Sequence, residues 1–265
     1  MKNFSYAILG VWLIAVLAGH VMHLDPNAID LNVVLHGPSA LHWLGADDLG
    51  RDLLARILSG VQVSFMVAMV VTAVTMVVGV FVGLLAGFYG GRVDQILMQI
   101  TDIFLAFPGI LLAIAFAAVL GPGLDNLIFA LCLTGWVSYA RLTRGQTMSL
   151  RNRQHVLAAQ SLGATVPRLL LLHILPLIAS LLVVEATYSL ASVMIAEASL
   201  SFLGLGIQAP HASWGAMLRD AVRYMLVAPH YVLIVGACMM SLILAINLCG
   251  DYLRDSLDVR TEKQI

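Results

Sequence analysis

Charged side chains are scarce in this chain of 265 residues: Asp, Glu, Lys and Arg make up 11% of it, and hydrophobic residues make up 60%. A soluble domain carries roughly 25% charged residues, so this composition excludes water as the main solvent of the protein. The formal net charge of −1 also excludes the strongly basic surface with which proteins bind nucleic acid. The sequence therefore predicts an integral membrane protein whose surroundings are the lipid bilayer, with no nucleic-acid partner.

Catalytic and metal-binding patterns are lacking as well. Cys132, Cys238 and Cys249 lie far apart in apolar runs, which predicts small buried hydrophobic side chains rather than a redox or metal site. The only lysines are Lys2 and Lys263, and neither follows a glycine, so no phosphate-binding loop ends in Gly-Lys-Ser/Thr. The His-Glu-x-x-His and Gly-x-Ser-x-Gly motifs are also absent. We therefore predict no catalytic residues, no metal and no cofactor on this chain, so that any ATP and Mg must be bound by other chains.

Long apolar runs dominate what is present. A membrane-spanning helix needs about 20 mostly apolar residues, and six stretches qualify: 4–22, 61–89, 95–120, 124–146, 175–203 and 229–249. Strands of a membrane barrel are about 10 residues long with alternating polarity, so the runs predict an all-α, polytopic membrane protein with six transmembrane helices. No small-x-small cleavage site follows the first run, which favours a retained helix over a signal peptide. We divide the chain into residues 1–60, the first helix with an external segment, and 61–265, the core transmembrane domain.

The basic residues predict the orientation of these helices. If the N-terminus is cytoplasmic, ten of the fourteen Lys and Arg residues fall on the cytoplasmic side. They are Lys2, Arg92, Arg141, Arg144, Arg151, Arg153, Arg168, Arg254, Arg260 and Lys263, whereas Arg51, Arg56, Arg219 and Arg223 fall outside. Because Lys and Arg concentrate in cytoplasmic segments, both termini are expected in the cytoplasm.

The first long segment between predicted spans, 23–60, is assigned to the external side. Three apolar residues recur in it at every fourth position: Leu49, Leu53 and Ile57. Asp52 stands four residues before Arg56, the favourable order for an acid-to-base pair on one helix. An apolar face opposite a charged pair predicts a helix that lies at the membrane surface.

The second long segment, roughly 147–174, is predicted to be cytoplasmic. A short helix from His155 should break at Gly163, since glycine readily takes the positive φ that ends a helix. Pro167 suits the start of a second helix, and Pro176 stands where the chain re-enters the membrane. The residues expected on the outward face of the first helix are Ala158, Ala159 and Leu162. The residues alone are compatible with an elbow that inserts into a groove on another protein and with an ordinary connector.

Three acidic residues lie within predicted spans, where a charge costs at least about 2.5–3.5 kcal/mol and tends to be functional. Asp102, Glu185 and Glu197 are accordingly candidates for lining a translocation pathway. Asp102 is also a candidate partner for Arg141, and Pro108 follows it by six residues and can kink its helix. Glu197 is equally compatible with a structural contact near the outer surface, so Glu185 is the strongest candidate.

A glycine stripe is the clearest packing signal. Gly79, Gly83 and Gly87 recur every four residues on the second span, and Gly91 continues the series. A stripe of small residues lets two membrane helices approach closely, so these glycines predict a helix–helix contact.

The histidines do not form a readable metal pattern. Six of the eight fall on or near the predicted external side: His20, His23, His36, His42, His211 and His230. His20 and His23 share a helix face, which leaves a nickel relay open. Scattered histidines are more often structural, so the sequence predicts no metal site.

Several motifs, in order along the chain, carry a resemblance to a known family. Ala158-Ala159, Gly163 and Ile174-Leu175-Pro176 resemble the EAA loop of ABC-importer permeases, whose usual glutamate is Leu157 here. Further motifs are similar to the dipeptide/oligopeptide/nickel branch of these permeases, with Ala46 in place of the usual threonine: His42-Trp43-Leu44-Gly45-Ala46-Asp47, Gly50-Arg51-Asp52, Gly90-Gly91-Arg92-Val93-Asp94, Asp102 with Pro108, 199–206, 214–218, Asn247, Gly250-Asp251, Leu253-Arg254-Asp255 and Leu257-Asp258. The resemblance covers about 40–265 and is closest to the second of the two permeases of such systems.

The resemblance implies a non-catalytic permease subunit of an ATP-driven importer in the bacterial cytoplasmic (inner) membrane. Its implied partners are a second permease, two ABC ATPase subunits that bind ATP and Mg, and an extracytoplasmic binding protein. The implied substrates are peptides or nickel and related chelates, and the loop at 155–176 is implied to couple to the ATPases. An ion-coupled secondary transporter with Asp102, Glu185 and Glu197 as a relay is the alternative, although such proteins usually show inverted repeats, and none is found.

Overall fold

The protein is described by a computed structural model of residues 2–22 and 24–262, and this part of the chain is almost entirely helical. The helices are α1 Lys2–Val21, α2 Leu53–Tyr89, α3 Gly91–Leu105, α4 Gly109–Leu120, α5 Leu124–Leu150, α6 Gln154–Ser161, α7 Val166–Arg168, α8 Leu175–Phe202, α9 Trp214–Arg223 and α10 Pro229–Glu262. A short 3₁₀ turn covers Leu31–Val33, and a π-helical turn covers Leu169–Ile174 between α7 and α8. The all-α fold class is confirmed.

Three helical segments are long and apolar enough to cross a membrane: Leu53–Tyr89, Val166–Phe202 and Pro229–Leu257. The pair α3 and α4 adds a fourth if it is counted as one broken span, and α1 contributes the shorter apolar stretch Tyr6–Gly19. This count is of the described residues and is made by length and composition. The six spans and the cytoplasmic position of both termini stay predictions.

The predicted surface helix around Leu49–Ile57 is wrong. Asp52 is the N-cap of α2, since its side chain accepts a hydrogen bond from the Ala55 amide at 2.9 Å, and α2 continues without a break to Tyr89. Leu53 and Ile57 are fully buried in the protein rather than facing lipid headgroups. The four-residue spacing marks the buried face at the start of a long helix, and Asp52 caps that helix instead of pairing with Arg56.

The predicted span 95–120 is broken near its middle. α3 ends at Leu105, and α4 starts at Gly109 at an angle of 80° to it. Pro108 is the N-cap of α4 with extended backbone angles, and a proline there cannot donate the hydrogen bond that would continue α3. The predicted kink is therefore a full break between two helices.

The glycine stripe of α2 lies against α5. A Cβ atom built on Gly79 would be 2.4 Å from the carbonyl oxygen of Trp136, and one on Gly83 would be 2.5 Å from that of Ala140. A Cβ on Gly87 would lie 2.6 Å from Cβ of Thr147. The backbones of α2 and α5 are thus in direct contact along about two and a half turns.

Gly91 does not continue this stripe. It starts α3 after the turn at Gly90, and a Cβ built on it would meet no atom within 4 Å. The three cysteines are free and half-buried, which is less burial than their apolar surroundings predicted.

An apolar core joins α1, α9 and α10 to the N-terminal half of α2. Trp214 is its centre: the ring is buried, and its Nε1 donates to the carbonyl oxygen of Ile57 at 3.1 Å. The Trp12 ring of α1 lies 5.3 Å from that of Trp214, and Trp12 Nε1 donates to Ser241 Oγ at 3.0 Å. Two aromatic side chains with satisfied N–H groups thus connect four helices.

Candidate coupling loop and translocation residues

The loop between α5 and α8 forms a projecting elbow. α6 ends at Ser161, Gly163 turns the chain with φ of +84°, and α7 follows at Val166. Leu162, at the tip, has 89% of its surface exposed, and Leu157 and Ala158 are also exposed. The elbow therefore presents two leucines and an alanine that make little contact with the rest of the chain.

The base of the elbow is held by a buried apolar cluster and by hydrogen bonds to α2. Val156 of α6 packs in a buried cluster with Leu169 and Ile174 of the π-helical turn. Arg151 Nη1, at the end of α5, donates to the carbonyl oxygens of Gly87 and Phe88 at 3.0 Å each. These carbonyls belong to the last turn of α2, so the elbow is attached to both α2 and α5.

Ala159 lies differently from the expectation, whereas Pro167 lies at the start of a helix as predicted. Ala159 is half-buried and its carbonyl accepts from the Ala164 amide at 3.1 Å, so it lines the inside of the elbow rather than its outer face. Pro167 lies in the first turn of α7, a helix of only three residues. Pro176 lies in the first turn of α8, which continues the π-helical turn without a gap. A cavity of about 260 Å³ opens inside the elbow beside Ala159, Gly163, Arg168 and His173.

Asp102 of α3 is held by α5. Its Oδ1 accepts from Arg141 Nη2 at 2.8 Å, and both side chains are more than half exposed. Asp94, two turns earlier on α3, receives both Nε and Nη2 of Arg144, the latter at 2.6 Å. Two acid–base pairs thus join α3 to α5, which favours the structural interpretation of Asp102 over a pathway role.

Glu197 is enclosed within the subunit. The side chain has 0% exposure, and its two oxygens accept from Ser64 Oγ at 2.7 Å and Ser201 Oγ at 2.8 Å. Ser64 belongs to α2, and Ser201 in turn accepts from the Ile207 amide at 3.3 Å. Glu197 therefore joins α2, α8 and the following loop, and its full burial favours the structural contact that the sequence allowed over a pathway role.

Glu185 is the one of the three predicted acids that borders a cavity. It is half-buried on α8 and lines a space of about 600 Å³ between α5, α8 and α10. Neither a hydrogen bond nor an ion pair of its carboxylate occurs within residues 2–22 and 24–262. The position of Glu185 at a cavity is compatible with a pathway-lining role, which stays a prediction.

A charge cluster in the segment before α2 stabilises the start of that helix. Asp47 is fully buried, and Oδ1 accepts from the amides of Leu49 and Arg51 at 2.9 Å each. Its Oδ2 lies 2.7 Å from Arg51 Nε and 3.3 Å from Arg56 Nε. Two of the arginines assigned outside by the charge distribution therefore share one buried carboxylate, and Arg51 Nη2 also lies 3.7 Å from Asp48 Oδ1.

The sequence analysis did not find the role of Asp47. The signal in the sequence is the spacing of four residues between Asp47 and Arg51. It was overlooked because Asp52 and Arg56 have the same spacing. The adjacent Asp48 is half-buried, and burial raises the pKa of its carboxyl, to which the charges of Asp47 and Asp220 add.

The predicted external histidines do not assemble. His42 Nδ1 lies 2.8 Å from Asp52 Oδ2, which orients the capping carboxylate of α2. His230 is partly buried, and its Nε2 has no hydrogen-bond partner in the described chain. His23 lies outside the described residues, so the predicted pair with His20 is not described, and the described residues contain no group of three or more potential metal ligands.

Comparison with known proteins agrees with the resemblance in the motifs. Residues 79–263 match the family of binding-protein-dependent transport system inner membrane components. Over 247 residues the chain is 43% identical to the glutathione transport system permease protein GsiD of Escherichia coli, covering 93% of this chain and 82% of that relative. GsiD of Shigella boydii matches to the same extent.

A solved structure shows the same fold. The MetNI methionine ABC transporter in inward-facing conformations superposes with a TM-score of 0.60 at 21% identity, over 75% of this chain and 95% of that chain. The family match, the relatives and the shared fold have one consequence: the chain belongs to the binding-protein-dependent transport system inner membrane components and is a multi-pass permease subunit of a bacterial ABC importer.

Proposed function

We propose that this chain forms half of a translocation pathway and transmits ATP-driven motion through its elbow at residues 155–176. The observation that carries this proposal is the exposed tip of the elbow on a rigid base. Leu162 and Leu157 have apolar surface to bury against a partner, and burial of a leucine contributes about 1.5–3 kcal/mol. The occupant is an ABC ATPase that binds ATP and Mg, because this chain has no phosphate-binding loop.

The base of the elbow explains how motion would pass into the membrane. Arg151 ties the elbow to the last turn of α2, and the glycine stripe holds α2 against α5 along its length. A displacement of the elbow therefore moves α2 and α5 as one body. Two such permeases, pulled together by two ATPases when ATP binds, would alternate between inward-facing and outward-facing arrangements by rigid-body rocking.

The substrate class we propose is a small peptide. The relatives at 43% identity are named glutathione transport system permeases, and glutathione is a tripeptide. An extracytoplasmic binding protein would deliver the peptide to the external segments, which include the loop stabilised by Asp47. The second permease of the pair would complete the pathway.

Replacing the tip leucine tests the coupling role. We expect Leu162→Asp to reduce the amount of ATPase that co-purifies with the chain by about tenfold, because a desolvated charge replaces a buried apolar contact. The level of the chain in the membrane should not change, since Leu162 is 89% exposed and supports little of the fold. The measurement is affinity purification from native membranes in mild detergent, with ATP-dependent peptide uptake measured in parallel.

Leu226→Asp is the matched control. Leu226 is 94% exposed in the loop between α9 and α10, on the side assigned to the exterior, so the same substitution there should leave ATPase recovery unchanged. Equal ATPase recovery and uptake in the Leu162 variant and the wild type would refute the coupling role of the elbow. Uptake by the purified chain alone without ATP would instead favour the ion-coupled transporter.

A further inference from the structure

The cavity that Glu185 borders carries charges of both signs. Helices α5, α8 and α10 border an open cavity of about 600 Å³, a volume within the range of about 300–1,000 Å³ for small-molecule sites. Its polar lining residues are Gln146, Ser180, Glu185, Tyr188 and Arg254. Leucines and a valine provide the remaining lining, so polar groups converge on a partly apolar cavity.

The carboxylate of Glu185 has unused hydrogen-bonding capacity. It lies ten residues beyond the start of α8, on the order of 15 Å along the helix, and no described side chain satisfies it. The other two acids in the predicted spans differ in this respect, because Asp102 is paired with Arg141 and Glu197 is bonded to two serines. A lone carboxylate at this depth is costly, and a cationic group in the cavity would offset that cost.

Arg254 supplies the opposite charge from the end of α10. The acid one turn before it, Asp251, accepts a hydrogen bond from the Tyr188 hydroxyl at 2.6 Å. That bond joins α10 to α8 at the cavity and holds Arg254 beside it. No ion pair between Arg254 and Glu185 is found among the described residues, so the acid and the base do not neutralise each other directly.

We propose that this cavity is a substrate site for small zwitterionic peptides, in which Glu185 accepts hydrogen bonds from the free ammonium group and Arg254 donates to a free carboxylate. Charge-assisted hydrogen bonds of this kind give orientation as well as affinity. A ligand with only one charge satisfies one end of the cavity and leaves the other charge unpaired. The inference rests on the proposed import of peptides and adds the groups of the peptide that are recognised.

The experiment measures binding to the complete transporter, co-purified with its partner subunits and reconstituted in lipid nanodiscs without nucleotide and without binding protein. The probes are unmodified glutathione and trialanine, and trialanine with an acetylated amine or with an amidated C-terminal carboxylate, since glutathione keeps a second free carboxylate when its C-terminus is amidated. Omitting the binding protein removes its own selectivity from the result. Affinities are obtained by equilibrium dialysis for the wild type and for Glu185→Gln and Arg254→Gln.

Each variant is expected to lose the discrimination against one of the two peptide modifications. Wild-type transporter should bind at least one unmodified peptide, and acetylation or amidation should each weaken binding about tenfold, the effect of one charge-assisted hydrogen bond. Glu185→Gln should abolish the discrimination against acetylation and preserve that against amidation, and Arg254→Gln should do the reverse. Asp255→Asn, an exposed change next to Arg254 that does not border the cavity, should behave as wild type.

Two outcomes would overturn the inference. One is the absence of binding of both unmodified peptides to the wild type, and the other is equal discrimination between modified and unmodified peptides in all variants. Neither outcome bears on the import function, which is followed separately by ATP-dependent uptake of glutathione with binding protein present. Loss of that uptake in the wild type would instead reject the proposed function.

Discussion

Gly83→Leu is expected to abolish most of the folded protein. A Cβ at this position would lie 2.5 Å from the carbonyl oxygen of Ala140, 2.6 Å from Cβ of Thr143 and 2.9 Å from the Arg144 amide nitrogen. Two of these atoms belong to the backbone of α5, so rotation of a side chain cannot make room for even a methyl group. Overpacking of a core usually costs about 1–3 kcal/mol, and a leucine against backbone should exceed the upper value.

The expected loss is at least about a hundredfold in the ratio of folded to misfolded protein, which follows from a cost of about 3 kcal/mol. It is measured as the fraction of membrane-inserted chain that elutes as a single species from size-exclusion chromatography in mild detergent. Gly145→Leu is the control, because Gly145 lies on α5 itself and a Cβ there meets no atom within 4 Å. Similar elution of the Gly83 variant and the wild type would show that α2 and α5 do not pack as described.

The glycine stripe also shows how far the sequence alone could lead. A spacing of four on an apolar helix predicts close packing at Gly79, Gly83 and Gly87, because the spacing is a property of one helix. The partner helix α5 and the end of the stripe at Gly87 depend on three-dimensional contacts that no local pattern contains. The spacing therefore located the contact surface and extended it by one step of four residues too far, to Gly91.

Local signals succeeded where backbone conformation decides the structure. Gly163 has the positive φ that the loop requires, and Pro167 lies in the first turn of its helix as expected. The pairing of charged side chains in the segment before α2 was predicted wrongly. The regular spacing of Asp52 and Arg56 suggested a surface pair, but Arg56 approaches Asp47 and Asp52 caps α2.

The intramembrane acids illustrate the same limit. The free-energy cost of a charge in lipid marked all three acids as candidate functional residues. Only tertiary contacts show that their surroundings differ. Glu197 is satisfied by serines on two helices, Asp102 by an arginine on a third, and Glu185 borders a cavity. The separation of 133 residues between Ser64 and Glu197 is beyond any periodicity argument, whereas the pair of Asp102 and Arg141, 39 residues apart, was predicted from the sequence and is confirmed.

Asp47→Asn is expected to have the second large effect, a loss of about 3–5 kcal/mol in the free energy of unfolding of the segment before α2, as for one partner removed from a buried ion pair. The carboxylate of Asp47 is fully buried beside two arginines, Arg51 and Arg56, which are themselves buried. The asparagine would leave the Arg56 guanidinium without a counter-charge and Arg51 with only the more distant carboxylate of Asp48 at 3.7 Å, and it would turn an amide donor or a single oxygen toward them. The N-terminus of α2 and the loop before it should then open.

Asp48→Asn is the control, because it makes the same substitution at the neighbouring residue. Burial raises the pKa of Asp48 above that of the unfolded chain, so its ionised form opposes folding at neutral pH, and Oδ1 of its carboxylate has no hydrogen-bond partner in the described chain. Asp48→Asn should therefore leave stability unchanged or raise it slightly. The readout is limited proteolysis of the reconstituted chain from the external side, together with its thermal midpoint in detergent. Equal protease resistance of the two variants would mean that the buried carboxylate of Asp47 does not hold the external segment on α2.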